Sequence, residues 1–129
     1  MDIYVSNNPL VLEYAGFNSI TEGLEYVRSG FMDVLIIARD LIHKGHTLRS
    51  HPLSGSIKPG ETPYKTIVLT KSAGPLDPDS LRIIEECILT AEKMANREKK
   101  LSERAIKDFQ LVDYTLIFGK LILKQGGNI

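Results

Sequence analysis

The sequence predicts a three-layer α/β/α domain, Rossmann-like, around a small mixed, mainly parallel sheet of about four strands. Three observations predict it. Strand and helix signals alternate from the start of the chain; Asn8-Pro9 and Asp77-Pro78 both read as capped helix starts; and the third and fourth strands are joined by about eleven residues without a helix. Alternation calls for parallel strands with helices on both faces and right-handed crossovers. A helix-free link of that length is thin for a parallel crossover, so the fourth strand is expected to run antiparallel to its neighbours.

Each element has its own signal. Asp2-Ile-Tyr-Val-Ser6 alternates and is β-branched, as a short strand requires. Asn8 is a good N-cap, and proline's missing N–H is harmless at the first helical position, so a helix runs from Pro9 to Tyr14 and closes at Gly16. A second strand falls at Leu24 to Val27. Phe31, Val34, Leu35, Ala38, Leu41 and Ile42 recur at helical spacing, and Lys44-Gly45 supplies a basic last turn with a glycine stop. His46 to Leu53 is expected as the third strand, and Lys65 to Thr70 is the clearest strand of all. From Asp77 a long helix carries Leu81, Ile84, Ile88, Ala91 and Ala95 on one stripe, with Arg97 to Lys100 as a charged, solvated end. Ser102 opens a last helix with Ala105, Phe109, Val112, Leu116 and Leu123 on one face; Leu111 to Phe118 is apolar on more than one face, which calls for deep burial, a subunit contact or a strand instead. Residues 1–125 thus read as one domain and 126–129 as a flexible tail.

Composition narrows the function classes. The 129 residues are 43% hydrophobic and 25% charged, which excludes disordered and fibrous classes. A single cysteine, Cys87, leaves no internal disulfide framework. Sixteen bases balance sixteen acids, so nothing overall points to nucleic acid. With no membrane span and no signal peptide in evidence, a cytoplasmic protein is expected. Charge is nevertheless uneven. Between Arg39 and Lys71, six bases stand against Asp40 and Glu61, leaving +4 there and −4 in the rest of the chain. His43, His46 and His51 all fall in the same stretch.

Open α/β sheets place ligands outside the carboxyl ends of their parallel strands. Two segments are expected at that edge: Asn7-Asn8 after the first strand, and His51 with Ser54-Gly55-Ser56 after the third. An antiparallel fourth strand brings the loop as far as Tyr64-Lys65 to the same edge. The candidate ligand-binding set is Asn7, Asn8, His51, Ser54, Gly55, Ser56, Lys58, Thr62, Tyr64 and Lys65. Hydroxyls, amides, lysines and a histidine suit a phosphate or carboxylate better than an apolar ligand. No nucleotide fingerprint is present. Nor is a metal expected: on a strand, His46 and His51 would lie about 16 Å apart on opposite faces. His43 is better read as a helix C-terminal cation, and Cys87, among Ile84, Ile88 and Ala91, as a buried inert thiol. No cofactor is implied.

Four strings carry a family resemblance: Ser6-Asn7-Asn8-Pro9-Leu10-Val11; Ala38 to His46 running into Ser50 to Pro59; Glu61-Thr62-Pro63-Tyr64-Lys65; and Asp108-Phe109-Gln110-Leu111-Val112-Asp113. The chain resembles the GrdX family, small proteins associated with glycine reductase gene clusters of amino-acid-fermenting anaerobes. The resemblance implies association with the system that reductively deaminates glycine, sarcosine or betaine to acetyl phosphate and an amine, and so implies components of that reductase as partners. It transfers no catalytic role to any residue. Three functions compete at this stage. The first is an accessory protein binding a small anion or a partner protein through the carboxyl-edge loop. The second is a small enzyme on a phosphate or acyl compound, with His51 as general acid/base and Lys58 or Lys65 holding the anion. The third is a structural module that forms a homodimer through its last helix, where Leu111, Leu116, Ile117, Phe118, Leu121 and Ile122 cannot all face one core.

Overall fold

The computed structural model describes residues 2–17, 23–53, 62–94 and 100–126. The elements run β1 (Asp2–Ser6), α1 (Pro9–Phe17), β2 (Leu24–Tyr26), α2 (Phe31–His43), β3 (Thr66–Thr70), α3 (Pro78–Met94) and α4 (Glu103–Gly126). The sheet has the order β2-β1-β3, with β1 parallel to β2 and antiparallel to β3. Among the described residues the fold is mixed α/β, with four helices and a three-stranded mixed sheet. Ser6 lies opposite Thr66, so β3 begins where β1 ends. The expected antiparallel last strand is present, and its first residues share an edge with Asn7.

Strand side chains alternate between faces. Val5 and Ile67 join Leu35, Ala38 and Ile42 of α2 and Ile84 and Ile88 of α3 in the main apolar core. Tyr4, next along β1, turns to the other face and meets Phe118 of α4 with ring centroids 5.4 Å apart. Phe118, 1% exposed, also stacks on Tyr14 of α1 at 4.1 Å and lies 5.3 Å from Tyr114. Each such aromatic pair adds about 0.5–1.5 kcal/mol beyond its buried area. No helix among the described residues is long and apolar enough to cross a membrane.

The helix ends follow their sequence signals. The Asn8 side chain accepts the Leu10 N–H at 3.0 Å and so caps α1. Asp77 accepts both the N–H and the hydroxyl of Ser80, capping α3, and Ser102 accepts the Ala105 N–H at the start of α4. At the end of α2 the His46 N–H reaches the Leu41 carbonyl and the Gly45 N–H reaches that of Ile42. This is the Schellman arrangement, and it sets Gly45 at φ 105°, a left-handed conformation that favours glycine. A side chain there would also collide with the backbone of Gly74. α1 differs in length: it continues through Gly16 to Phe17, because a glycine weakens a helix by about 1 kcal/mol without forbidding it.

The segment His46 to Leu53 is not a strand, so the described sheet has three strands rather than the expected four or so; the segment contributes one antiparallel bridge, Leu48 to Leu69. Two backbone bonds flank that bridge, Arg49 N–H to Val68 and Thr70 N–H to Thr47, each 2.8 Å. Beyond them, side-chain hydroxyls take the donors that would extend the ladder. The Thr47 N–H goes to the Thr70 hydroxyl at 2.9 Å, and the Val68 N–H to the Ser50 hydroxyl at 3.4 Å. The Leu48 N–H, pointing outward, is taken by Ser80 of α3.

In α4, Val112 is 39%, Leu116 49% and Leu111 56% exposed. Asp113, Phe118 and Gly119 are buried. The Leu123 side chain lies outside the described residues, as do Ala95, residues 97–99 and 127–129; α4 is described to Gly126.

Candidate functional site

The carboxyl edge of β1 is closed by a polar seam whose bonds can be traced donor by donor. The Asn8 N–H donates to the Ser6 hydroxyl at 3.0 Å. The Ser6 and Thr66 hydroxyls lie 2.7 Å apart, and the Thr66 hydroxyl donates to Asp113 Oδ2 at 2.6 Å. Because each hydroxyl has one proton and that of Thr66 goes to Asp113, Ser6 donates to Thr66. Asp113 accepts two further bonds, from the Thr66 N–H on Oδ1 at 3.0 Å and from the Asn8 side-chain amide on Oδ2 at 3.0 Å. The other amide proton of Asn8 reaches the Gln110 carbonyl at 2.8 Å. Asp113 is 5% exposed, and hydrogen bonds to a charged acceptor offset the desolvation that burial imposes.

Asn7 performs the same service one residue earlier. Its side-chain carbonyl accepts the Lys65 N–H at 2.9 Å, and its amide donates to the carbonyls of Ser29 and Pro63 at 3.0 and 2.7 Å. The edge residues of β1 therefore tie together the approach to α2, the approach to β3, and α4. Both asparagine side chains are engaged within the protein, holding backbone in place.

Beside the seam lies an open hollow of about 330 Å³, counted out to solvent, with room for roughly one water. Thr62, Tyr64, Lys65 and Asp113 line it, with Phe31, Phe109, Val112 and Leu116 as apolar walls. Lys65 is 7% exposed, and among the described residues its amine has no hydrogen bond and no ion pair within 4 Å. Burial pulls its pKa below the ordinary 10.5, while the charge of Asp113, and less so Cys87, works the other way. Tyr64 adds a second unspent donor. Its hydroxyl accepts the Gln110 side-chain amide at 2.9 Å, and its own proton has no acceptor among the described residues. Thr62 accepts the Tyr64 N–H at 3.1 Å.

The other expected site residues are placed differently. His51 is exposed, and its Nδ1 accepts the Leu53 N–H at 3.1 Å, a local turn bond. Ser54, Gly55, Ser56, Lys58 and Glu61 lie outside the described residues. His46 donates from Nδ1 to the Thr70 carbonyl at 2.8 Å, and His43 sits exposed at the end of α2. Among the described residues no group of three His, Cys, Asp or Glu side chains could hold a metal ion. Burial pushes the Cys87 thiol up to about 11. Sequence reasoning missed Ser6, Thr66 and Asp113 as the seam. A signal was available: Asp113 is the one carboxylate in the apolar run Leu111 to Phe118, and a charge there must find partners.

Fold and site together define a small α/β protein with a buried polar seam and an unpaired lysine at the carboxyl edge of its sheet. The family to which it belongs is the GrdX-like protein family, whose sequence model matches residues 3–122. No curated protein and no solved structure matches the chain. Three of the four strings noted above meet at this edge: Asn7 and Asn8, Thr62 to Lys65, and Gln110 with Asp113.

The lowered pKa of Lys65 means that desolvation outweighs the help of Asp113, a cost that a methionine of similar length would not carry. Lys65→Met is expected to raise stability at neutral pH, on the order of 1 kcal/mol. Between its lowered native pKa and 10.5, the native lysine holds fewer protons than the unfolded one, so wild-type stability from this group rises with pH. The gap between variant and wild type should therefore be widest below that window and narrow towards pH 10.5. Urea unfolding at a series of pH values measures it; a variant less stable than wild type at pH 7 contradicts the unpaired-charge reading.

Proposed function

We propose that this GrdX-like protein is a non-catalytic accessory component of the glycine, sarcosine or betaine reductase system that binds a small anion at the hollow beside Lys65. Family membership supports the association with the reductase. One observation carries the anion reading: Lys65, 7% exposed, lines an open hollow and among the described residues has no salt bridge within 4 Å. An anion entering there gains a charge-assisted bond and relieves the desolvated cation. Lys65 and Tyr64 supply the donors, Thr62 stands beside them, and Asn7 and Asn8 hold the frame. We read α2 and α3 on one face of the sheet, and α1 and α4 on the other, as the outer layers of a Rossmann-like arrangement. The hollow then lies where such sheets take their ligands. An enzyme using His51 is less well supported, since that ring is exposed and bonded only to its own turn.

Amide NMR of wild type and Lys65→Met, titrated with acetate, phosphate and acetyl phosphate at millimolar levels, tests this. Saturable shifts at Thr62, Tyr64 and Lys65 that vanish in the variant are expected. No shift with any of the three anions contradicts the reading.

A second reading rests on the exposed stripe Leu111, Val112 and Leu116, which a second copy of the chain would cover. Sedimentation at micromolar protein is expected to show a dimer that Leu116→Asn dissociates; a monomer at all concentrations ends that reading.

A further inference from the structure

The geometry points to a short monocarboxylate with an apolar tail, rather than a phosphate, as the anion of the Lys65 hollow. This inference rests on the anion reading above and names its ligand class.

Three features select the ligand. The first is donor number. The described lining offers two unspent donor groups, the Lys65 amine and the Tyr64 hydroxyl, against one buried carboxylate, Asp113. A carboxylate brings one negative charge and two oxygens, which those two groups match. A phosphate near neutral pH brings up to two charges and four oxygens; some would face apolar walls unsatisfied, and its second charge would face Asp113. The second feature is size. The hollow has room for about one water. A flat carboxylate entering edge-on can put one oxygen in that water's place, whereas a tetrahedral anion presents three oxygens to the same opening.

The third feature is the wall. Phe31, Phe109, Val112 and Leu116 line the hollow together with the lysine. Val112 and Leu116 also line a neighbouring apolar hollow with Leu111 and Thr115. The two hollows thus share a wall, formed by the exposed stripe of α4. A carboxylate anchored on Lys65 would lay its alkyl chain along Val112 and Leu116, which are 39% and 49% exposed without it. This accounts for two otherwise separate features, the unpaired lysine and the uncovered leucines, with one occupant.

The test is calorimetric titration of the full chain with acetate, propionate, butyrate and inorganic phosphate at constant ionic strength. Affinity is expected to rise about 2- to 4-fold per added methylene, the upper end being full burial of each group. Phosphate should bind at least tenfold more weakly than butyrate. Lys65→Met should abolish carboxylate binding while remaining folded by circular dichroism. Leu116→Asn should flatten the gain from acetate to butyrate. Phosphate binding more tightly than butyrate, or equal affinity for all three carboxylates, overturns the inference while leaving an anion site in place. Binding of none of the four overturns both.

Discussion

The carboxylate of Asp113 is the point on which the rest of the arrangement depends. Three donors converge on it, two from Thr66 at the start of β3 and one from Asn8 at the start of α1. A carboxylate 5% exposed is tolerable only with its oxygens satisfied, and these three bonds satisfy it. They also fix position. Thr66 is pinned opposite Ser6, the cap of α1 is held against α4, and α4 itself can rotate no further than those bonds allow. Phe118, five residues on and about 140° around the helix axis, then meets Tyr4, Tyr14 and Tyr114.

This rotation explains the surface of α4. With Asp113 and Phe118 inward, Val112 and Leu116 fall on the opposite side of the helix and point partly outward. The ordinary rule that an amphipathic helix buries its apolar stripe is overridden by a stronger requirement, that a buried charge keep its partners. The same rotation leaves a gap beside Lys65, lined by Val112, Leu116 and Phe109, rather than a filled core. The hollow and the exposed stripe have a common cause.

Much of the frame was legible in the sequence because it is written in local chemistry. Asn8, Asp77 and Ser102 cap the helices their positions predicted, and Gly45 ends α2 in the left-handed turn that only a glycine takes easily. β3 runs antiparallel to β1 and brings Lys65 to the edge where a ligand was expected, although the strand from which its short link was argued is a single bridge. What was not legible depends on partners distant in sequence. Whether Thr47 and Val68 extend a ladder is decided by the hydroxyls of Thr70 and Ser50, 23 and 18 residues away. The rotation of α4 is decided by bonds from Asp113 to residues 47 and 105 positions earlier. Asn7 and Asn8 were correctly placed at the edge, but residue type alone does not reveal that their amides are spent on backbone.

The most direct test of the central claim is the unfolding free energy of Asp113→Asn. Asparagine keeps the shape but replaces one acceptor oxygen by an NH₂ group. In one orientation that group faces the Thr66 N–H; in the other it faces the Asn8 amide, so a donor meets a donor either way. The account predicts a loss of about 1–3 kcal/mol in urea unfolding at neutral pH. A variant as stable as the wild type would contradict it, since Asp113 would then not hold β3, α1 and α4 together.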